Sequence, residues 1–287
     1  MKILCVNIPP AEEGSEEAKF SERVYSAAVQ RNIDLVLKNA DVTYRTCEWG
    51  LPMMDAPVYH HLDVITARTA FYSAAKAEEE GFEGVLIDCF GDPMLHALRQ
   101  HLDIPVVGLC ESSLMLSNMM GKKIGIVLVS DYNLDIAEEL VKNYGQSERC
   151  VGIESLPPGA ETTLGPGLVN AEPLLDAFVT ASKKLVAKGA EVIIPGCSLI
   201  SLAARFVPGV EDKYPNGLTE IDGAIVADLI GNAVLLLNSL ATLKAADSSW
   251  ISRKLRYIMP TPEEKEMFRC VSEDPYLKFW DHKINNK

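Results

Sequence analysis

Basic residues are scarce in this chain: 27 Lys and Arg stand against 40 Asp and Glu, a formal net charge of -13. A body that acidic repels phosphate backbones and anionic bilayers, which excludes nucleic acid and membrane surfaces as partners. Long apolar runs are missing as well. The longest stretch towards the end, residues 224–237, is broken by Asp228 and Asn232 and falls short of a membrane span. The apolar run opening at Met1 is too short for a signal peptide and soon meets Pro9, Pro10, Glu12 and Glu13, so a cytoplasmic setting is expected. Metal-site spacing is also absent. The seven cysteines include no CxxC pair, and no His stands near enough to suggest zinc. In such a compartment they do not read as a disulfide framework either.

What is present is globular: 48% hydrophobic and 23% charged residues argue against disorder, and 287 residues suffice for one large domain or two modest ones. Short apolar runs alternate with helical patterns. Strands are expected at 3–8, 35–46, 85–88 and 104–109, and helices at 16–31, 63–80, 92–101 and 112–120. The cycle then restarts with strands at 124–129, 151–156 and 192–195 and helices at 134–144, 172–188, 200–206 and 224–245. This alternation predicts an α/β fold with parallel sheets covered on both faces.

A repeat sharpens the reading. Gly81-Phe82-Glu83-Gly84-Val85-Leu86-Ile87-Asp88-Cys89 parallels Gly189-Ala190-Glu191-Val192-Ile193-Ile194-Pro195-Gly196-Cys197. In each, a helix closes on Gly, an apolar strand follows, and Cys stands eight residues after the Gly. Two such halves place both thiols at the carboxyl ends of parallel strands, where open sheets bind ligands. The alternative is that both are core cysteines, the common fate of a free thiol. Cys5 and Cys110 are expected to be packing residues of that kind; Cys47, Cys150 and Cys270 have no chemical context.

Asp92 and Pro93 follow Cys89 as an apparent N-cap and first helical residue. The amides of Phe90, Gly91 and Asp92 are then expected at a helix start beside the thiol, where they can hold an oxyanion and lower the thiol pKa. Ser198 after Cys197 is compatible with a second such turn. Glu111 is a candidate to bind substrate or to cap the helix near Ser112, and Ser130, at a strand end, to hold a ligand or to cap with Asp131.

The segment Asp88-Cys89-Phe90-Gly91-Asp92-Pro93, with Pro105-Val106-Val107-Gly108-Leu109-Cys110-Glu111, resembles the aspartate/glutamate/hydantoin racemase superfamily, nearest its hydantoin and allantoin racemase branch. Residues 189–197 resemble its second cysteine strand, and Ile221-Asp222-Gly223-Ala224 its returning segment. The resemblance implies two pseudo-symmetric flavodoxin-like domains with a cleft between them and no cofactor. It further implies a small-molecule substrate and, with Cys89 and Cys197 as the acid–base pair, racemisation of a carbon acid. The expected division is residues 1–115 with 216–245, then 116–215, with 246–287 as a C-terminal extension; a homo-oligomer is expected. Candidate substrate-binding residues are Asn7, Phe90, Gly91, Asp92, Glu111, Ser130 and Ser198; no metal ligands are expected. The chain departs from the family at Asn7-Ile8-Pro9-Pro10-Ala11, where only Asn7 matches the polar loop expected there. Two other readings stay open: a cis-trans isomerase or decarboxylase using one cysteine, and a silent small-molecule binding protein. The extension, with Trp250, Arg253, Lys254, Arg256, Tyr257 and Trp280, reads as a solvated tail packed by its aromatics, or as a subunit contact or cleft cover.

Overall fold

The computed structural model describes residues 1–7, 16–47 and 60–265. Two sheets form, each at the centre of one half. The first is all parallel: β1 (Lys2–Asn7), β2 (Asp41–Thr46), β3 (Gly84–Asp88) and β4 (Val106–Gly108), ordered β2-β1-β3-β4. The second holds β5 (Ile124–Leu128), β6 (Cys150–Ser155), β7 (Val192–Pro195), β8 (Glu220–Ile221) and β9 (Ala224–Val226), ordered β6-β5-β7-β9-β8. If β8 is set aside, the two orders match strand for strand, and β3 corresponds to β7. The repeat is therefore topological as well as sequential. Gly81 and Gly189, which precede the two cysteine strands, both hold left-handed backbone, at φ +78° and +95°.

The continuous apolar runs are explained by what lies on each sheet face. Along β1, Ile3 and Cys5 face one way while Leu4 and Val6 face the other. Along β5, Ile124, Ile126 and Leu128 share the cluster of Ile3 and Cys5, whereas Val127, with Val129 just past the strand, joins a separate one. One apolar layer is thus common to both halves and two are private. Strands buried on both faces need hydrophobic residues at every position, and each large side chain so buried contributes about 1.5–3 kcal/mol.

Helices fill these layers: α1 (Glu16–Val36), α2 (His60–Ala74), α3 (Leu95–His101), α4 (Leu109–Met120), α5 (Leu134–Asn143), α6 (Glu172–Ala187), α7 (Ser198–Phe206) and α8 (Leu229–Ala245). Among the described residues no helix is long and apolar enough to cross a membrane.

The division of the chain differs from the expected one at its return. Residues 220–226 do not join the first half, nor do they begin a helix at 224; β9 pairs parallel with β7, Val192 beside Ile225. Asp222 and Gly223 both have positive φ (48° and 89°), the tight turn that closes β8 on β9 as a hairpin. Only α8 returns, packing on α1, α4, β3 and β4.

The extension is better anchored than a solvated tail. Arg253 donates to the carbonyls of Arg99 (2.8 Å) and Leu102 (3.1 Å) at the end of α3 and to the Asp103 carboxylate (2.6 Å). Trp250 lies beside both Lys244 and Arg253, and the Tyr257 hydroxyl meets His96 Nδ1 at 2.7 Å. Trp280 lies outside the described residues.

Candidate active site

Cys89 stands immediately after β3, and Cys197 two residues past the end of β7, as the N-cap of α7. Both keep part of their surface open while their sulfurs lie deep. The Gly91 amide favours the Cys89 thiolate, and the amides of Leu199 and Ile200 favour that of Cys197. Amide donors at a strand-to-helix turn were expected. A lowered thiol pKa was expected too, and the structure reverses it. Burial outweighs the amides and pushes Cys89 up to about 12 and Cys197 to about 11. A lone amide or two does not replace the water that an exposed thiolate would hold. The charge of Cys197 also contributes to the rise at Cys89.

The loop after Cys89 is not the expected helix start. Asp92 and Met94 both lie in the left-handed region (φ 46° and 57°), so α3 begins only at Leu95. Asp92 caps a different helix. Its carboxylate accepts from the amides of Cys110 (3.0 Å) and Glu111 (2.8 Å), at the start of α4, and from the Tyr144 hydroxyl (2.8 Å). The carboxylate rests against Gly108, where a Cβ would overlap it. Burial raises Asp92 to about 7 despite these donors. Its oxygens are engaged by the protein, and its amide, expected to face an oxyanion, donates to the Cys89 carbonyl at 3.1 Å, so Asp92 builds the loop.

Other candidates separate in the same way. Glu111 forms a two-point ion pair with Arg99, so its carboxylate is committed there. Phe90 is buried in the shared apolar layer. Gly91 lies under the Cys89 sulfur, with its Cβ position 3.7 Å from it. Asn7 ends β1 beside Asp88, and its carbonyl accepts from the Cys47 amide. Ser130 follows β5, the counterpart of β1; it does not cap the turn at Asp131, and its buried hydroxyl has no partner. Cys5 and Cys110 are fully buried, as expected of packing residues.

Two tyrosines were not legible in the sequence. The Tyr25 hydroxyl, from α1, donates to Asp88 Oδ2 at 2.8 Å and also meets the Ser198 hydroxyl. It thereby connects the neighbours of the two cysteines. Tyr144, just after α5, reaches from the second half to Asp92 in the first. Each partner is more than fifty residues away, so no local pattern could have signalled either contact.

A family model described as Asp/Glu/hydantoin racemase matches residues 21–227, a stretch that includes both cysteines. The chain is similar to a hydantoin racemase from Pseudomonas sp., with 34% identity over 152 residues, 52% of this chain and 57% of that protein. The match thus spans little more than half of that relative's length. By fold the chain is similar to the allantoin racemase from Klebsiella pneumoniae, with TM-score 0.67, 21% identity, and 91% of this chain and 94% of the other covered. It is similar also to the allantoin racemase from Pseudomonas fluorescens, with TM-score 0.69, 19% identity, and 91% and 98% covered. These two likenesses establish the architecture.

Proposed function

The chain belongs to the Asp/Glu/hydantoin racemase family, and from that premise we propose that it is a cofactor-independent racemase with Cys89 and Cys197 as its two bases. Its substrate is a carbon acid beside carbonyl groups, such as a hydantoin, an allantoin-like ring or an amino acid derivative. One observation carries this reading: the thiols follow equivalent strands, β3 and β7, of the two matching sheets.

In this mechanism one cysteine is a thiolate and the other a thiol. The thiolate takes the proton from the stereogenic carbon, and the C–H electron pair moves into the adjacent carbonyl as an enolate. The opposite thiol then gives its proton to the other face and is left as the thiolate. Charge and proton count are conserved, and reversing the roles runs the reaction the other way. Ser130 and Asn7, at the carboxyl edges of β5 and β1, offer a hydroxyl and an amide for the substrate's polar groups. The deep setting of the thiols strengthens every interaction with the developing oxyanion, at the cost of a small thiolate fraction near neutral pH.

The test is exchange of the α-proton of an enantiopure 5-substituted hydantoin in heavy water, followed by NMR. Exchange and racemisation should both be lost in Cys89→Ser and in Cys197→Ser. Full activity in either variant overturns the two-base assignment. A covalent adduct trapped on one cysteine, with the other dispensable, would favour a one-cysteine isomerase or decarboxylase.

A further inference from the structure

We infer that Asp88 is a positioning residue for both cysteines at once: one buried carboxyl, clasped by Tyr25, tying the Cys89 strand to the start of the Cys197 helix. The inference rests on the reading of the two cysteines as the working pair, and it adds a third group to that site.

The geometry is specific. Asp88 is the last residue of β3 and faces the layer shared by the halves, as Leu86 does two residues earlier. The groups around it come from several elements. Cys5 of β1 directs its thiol at Oδ2 from 3.9 Å, and Tyr25 of α1 donates to the same oxygen at 2.8 Å. Ser198, at the first position of α7, meets the Tyr25 hydroxyl from the other half. Oδ1 is buried without any partner. Among the described residues, α4 and α8, the helices packed on β3, offer no compensating cation. In α4 the ionisable side chains are Cys110 and Glu111, the latter held by Arg99, and in α8 the sole charged residue, Lys244, pairs with Asp103. A carboxylate is therefore enclosed beside two thiols, and its charge opposes ionisation of each. It is a charge common to both sulfurs, as suits a pair that exchanges roles. Tyr25 in turn holds the carboxyl in its ionised form more readily than burial alone would allow.

The test reads thiol ionisation directly and does not depend on any substrate. The intact protein is alkylated with iodoacetamide between pH 6 and 9.5, and the rates at the Cys89 and Cys197 peptides are followed by mass spectrometry. In Asp88→Asn both rates should rise, by about threefold, at every pH where the native carboxylate is ionised. In Tyr25→Phe the carboxyl keeps its proton to higher pH, so both thiols should react faster near pH 7 and match the native protein at pH 9. This second variant keeps the test decisive where Asp88→Asn fails to fold. A rise at Cys89 alone, or at neither, overturns the inference, since a residue that merely braced the fold would leave the thiol profiles unmoved. Joint shifts without α-proton exchange in the native protein would leave the shared carboxyl standing and remove the racemase reading. Exchange with unshifted thiols would do the reverse.

Discussion

Tyr144 donates its hydroxyl to the Asp92 carboxylate at 2.8 Å, joining the end of α5 in one half to the Cys89 loop in the other. The same carboxylate caps α4, the connection through which the chain passes from the first sheet to the second. Asp92 therefore ties three things together: a left-handed loop, a helix start and the opposite half. Replacing it with Asn turns one acceptor oxygen into a donor facing a donor. We expect Asp92→Asn to lower stability by about 2–3 kcal/mol and Tyr144→Phe by about 1 kcal/mol. Urea denaturation of both variants at pH 8 checks the order, and equal losses would contradict it.

Gly108 is the counterpart of that arrangement. A Cβ at this position would fall on the Asp92 carboxylate and push it from the amides of Cys110 and Glu111. Gly108→Ala should therefore cost about 1–3 kcal/mol by overpacking, despite adding a single methyl group to a buried strand end. Because the displaced carboxylate shapes the loop carrying Cys89, racemisation should fall with stability. Measuring both at a temperature well below the melting point separates the two effects. Native activity in a stably folded Gly108→Ala protein would show the loop to be indifferent to Asp92.

Much of this architecture was legible from local pattern. Strand burial repeats over a few residues, and Cys89 and Cys197 follow equivalent apolar strands, so the halves and their thiols could be read directly. Asp92 shows where such reading fails. Beside Pro93 it looks like the cap of the helix that follows, but a carboxylate satisfies whichever amides folding brings to it, and these lie 18 and 19 residues on. The hairpin at Asp222 and Gly223 does carry a signal, an Asp-Gly pair before a β-branched run, but β9 is only three residues long and its apolar pattern runs on into that of α8. Tyr25 carried none: a tyrosine in an amphipathic helix has the same appearance whether it packs or binds across a domain boundary.

The two thiols should titrate apart. Burial raises both, but Cys197 faces two amides and reaches about 11, while Cys89 has one amide and two nearby carboxylates and reaches about 12. At any pH below both values the thiolate fraction at Cys197 is then the larger. Iodoacetamide should label Cys197 first, and both rates should climb about tenfold per pH unit from 7 to 9. Faster labelling of Cys89 would show that its loop opens in solution.

Stability should also depend on pH through Asp88, and its sign follows from burial. An unfolded aspartate titrates near 3.9, whereas enclosure pushes Asp88 up to about 6 in the native state. A raised carboxyl favours the folded form fully below the unfolded value, and that contribution is lost as pH rises through 6. The loss amounts to roughly 3 kcal/mol for a shift of two units, as an order of magnitude. Asn keeps an oxygen for the Tyr25 hydroxyl but carries no charge to desolvate. Asp88→Asn should therefore match the native protein in stability near pH 4, gain on it between pH 4 and 6, and hold a constant advantage from pH 7 to 9. Denaturant midpoints across that range measure the difference. An advantage that is flat from pH 4 upward would mean that the carboxyl stays protonated throughout, and a growing disadvantage that the ionised form is stabilised by the fold.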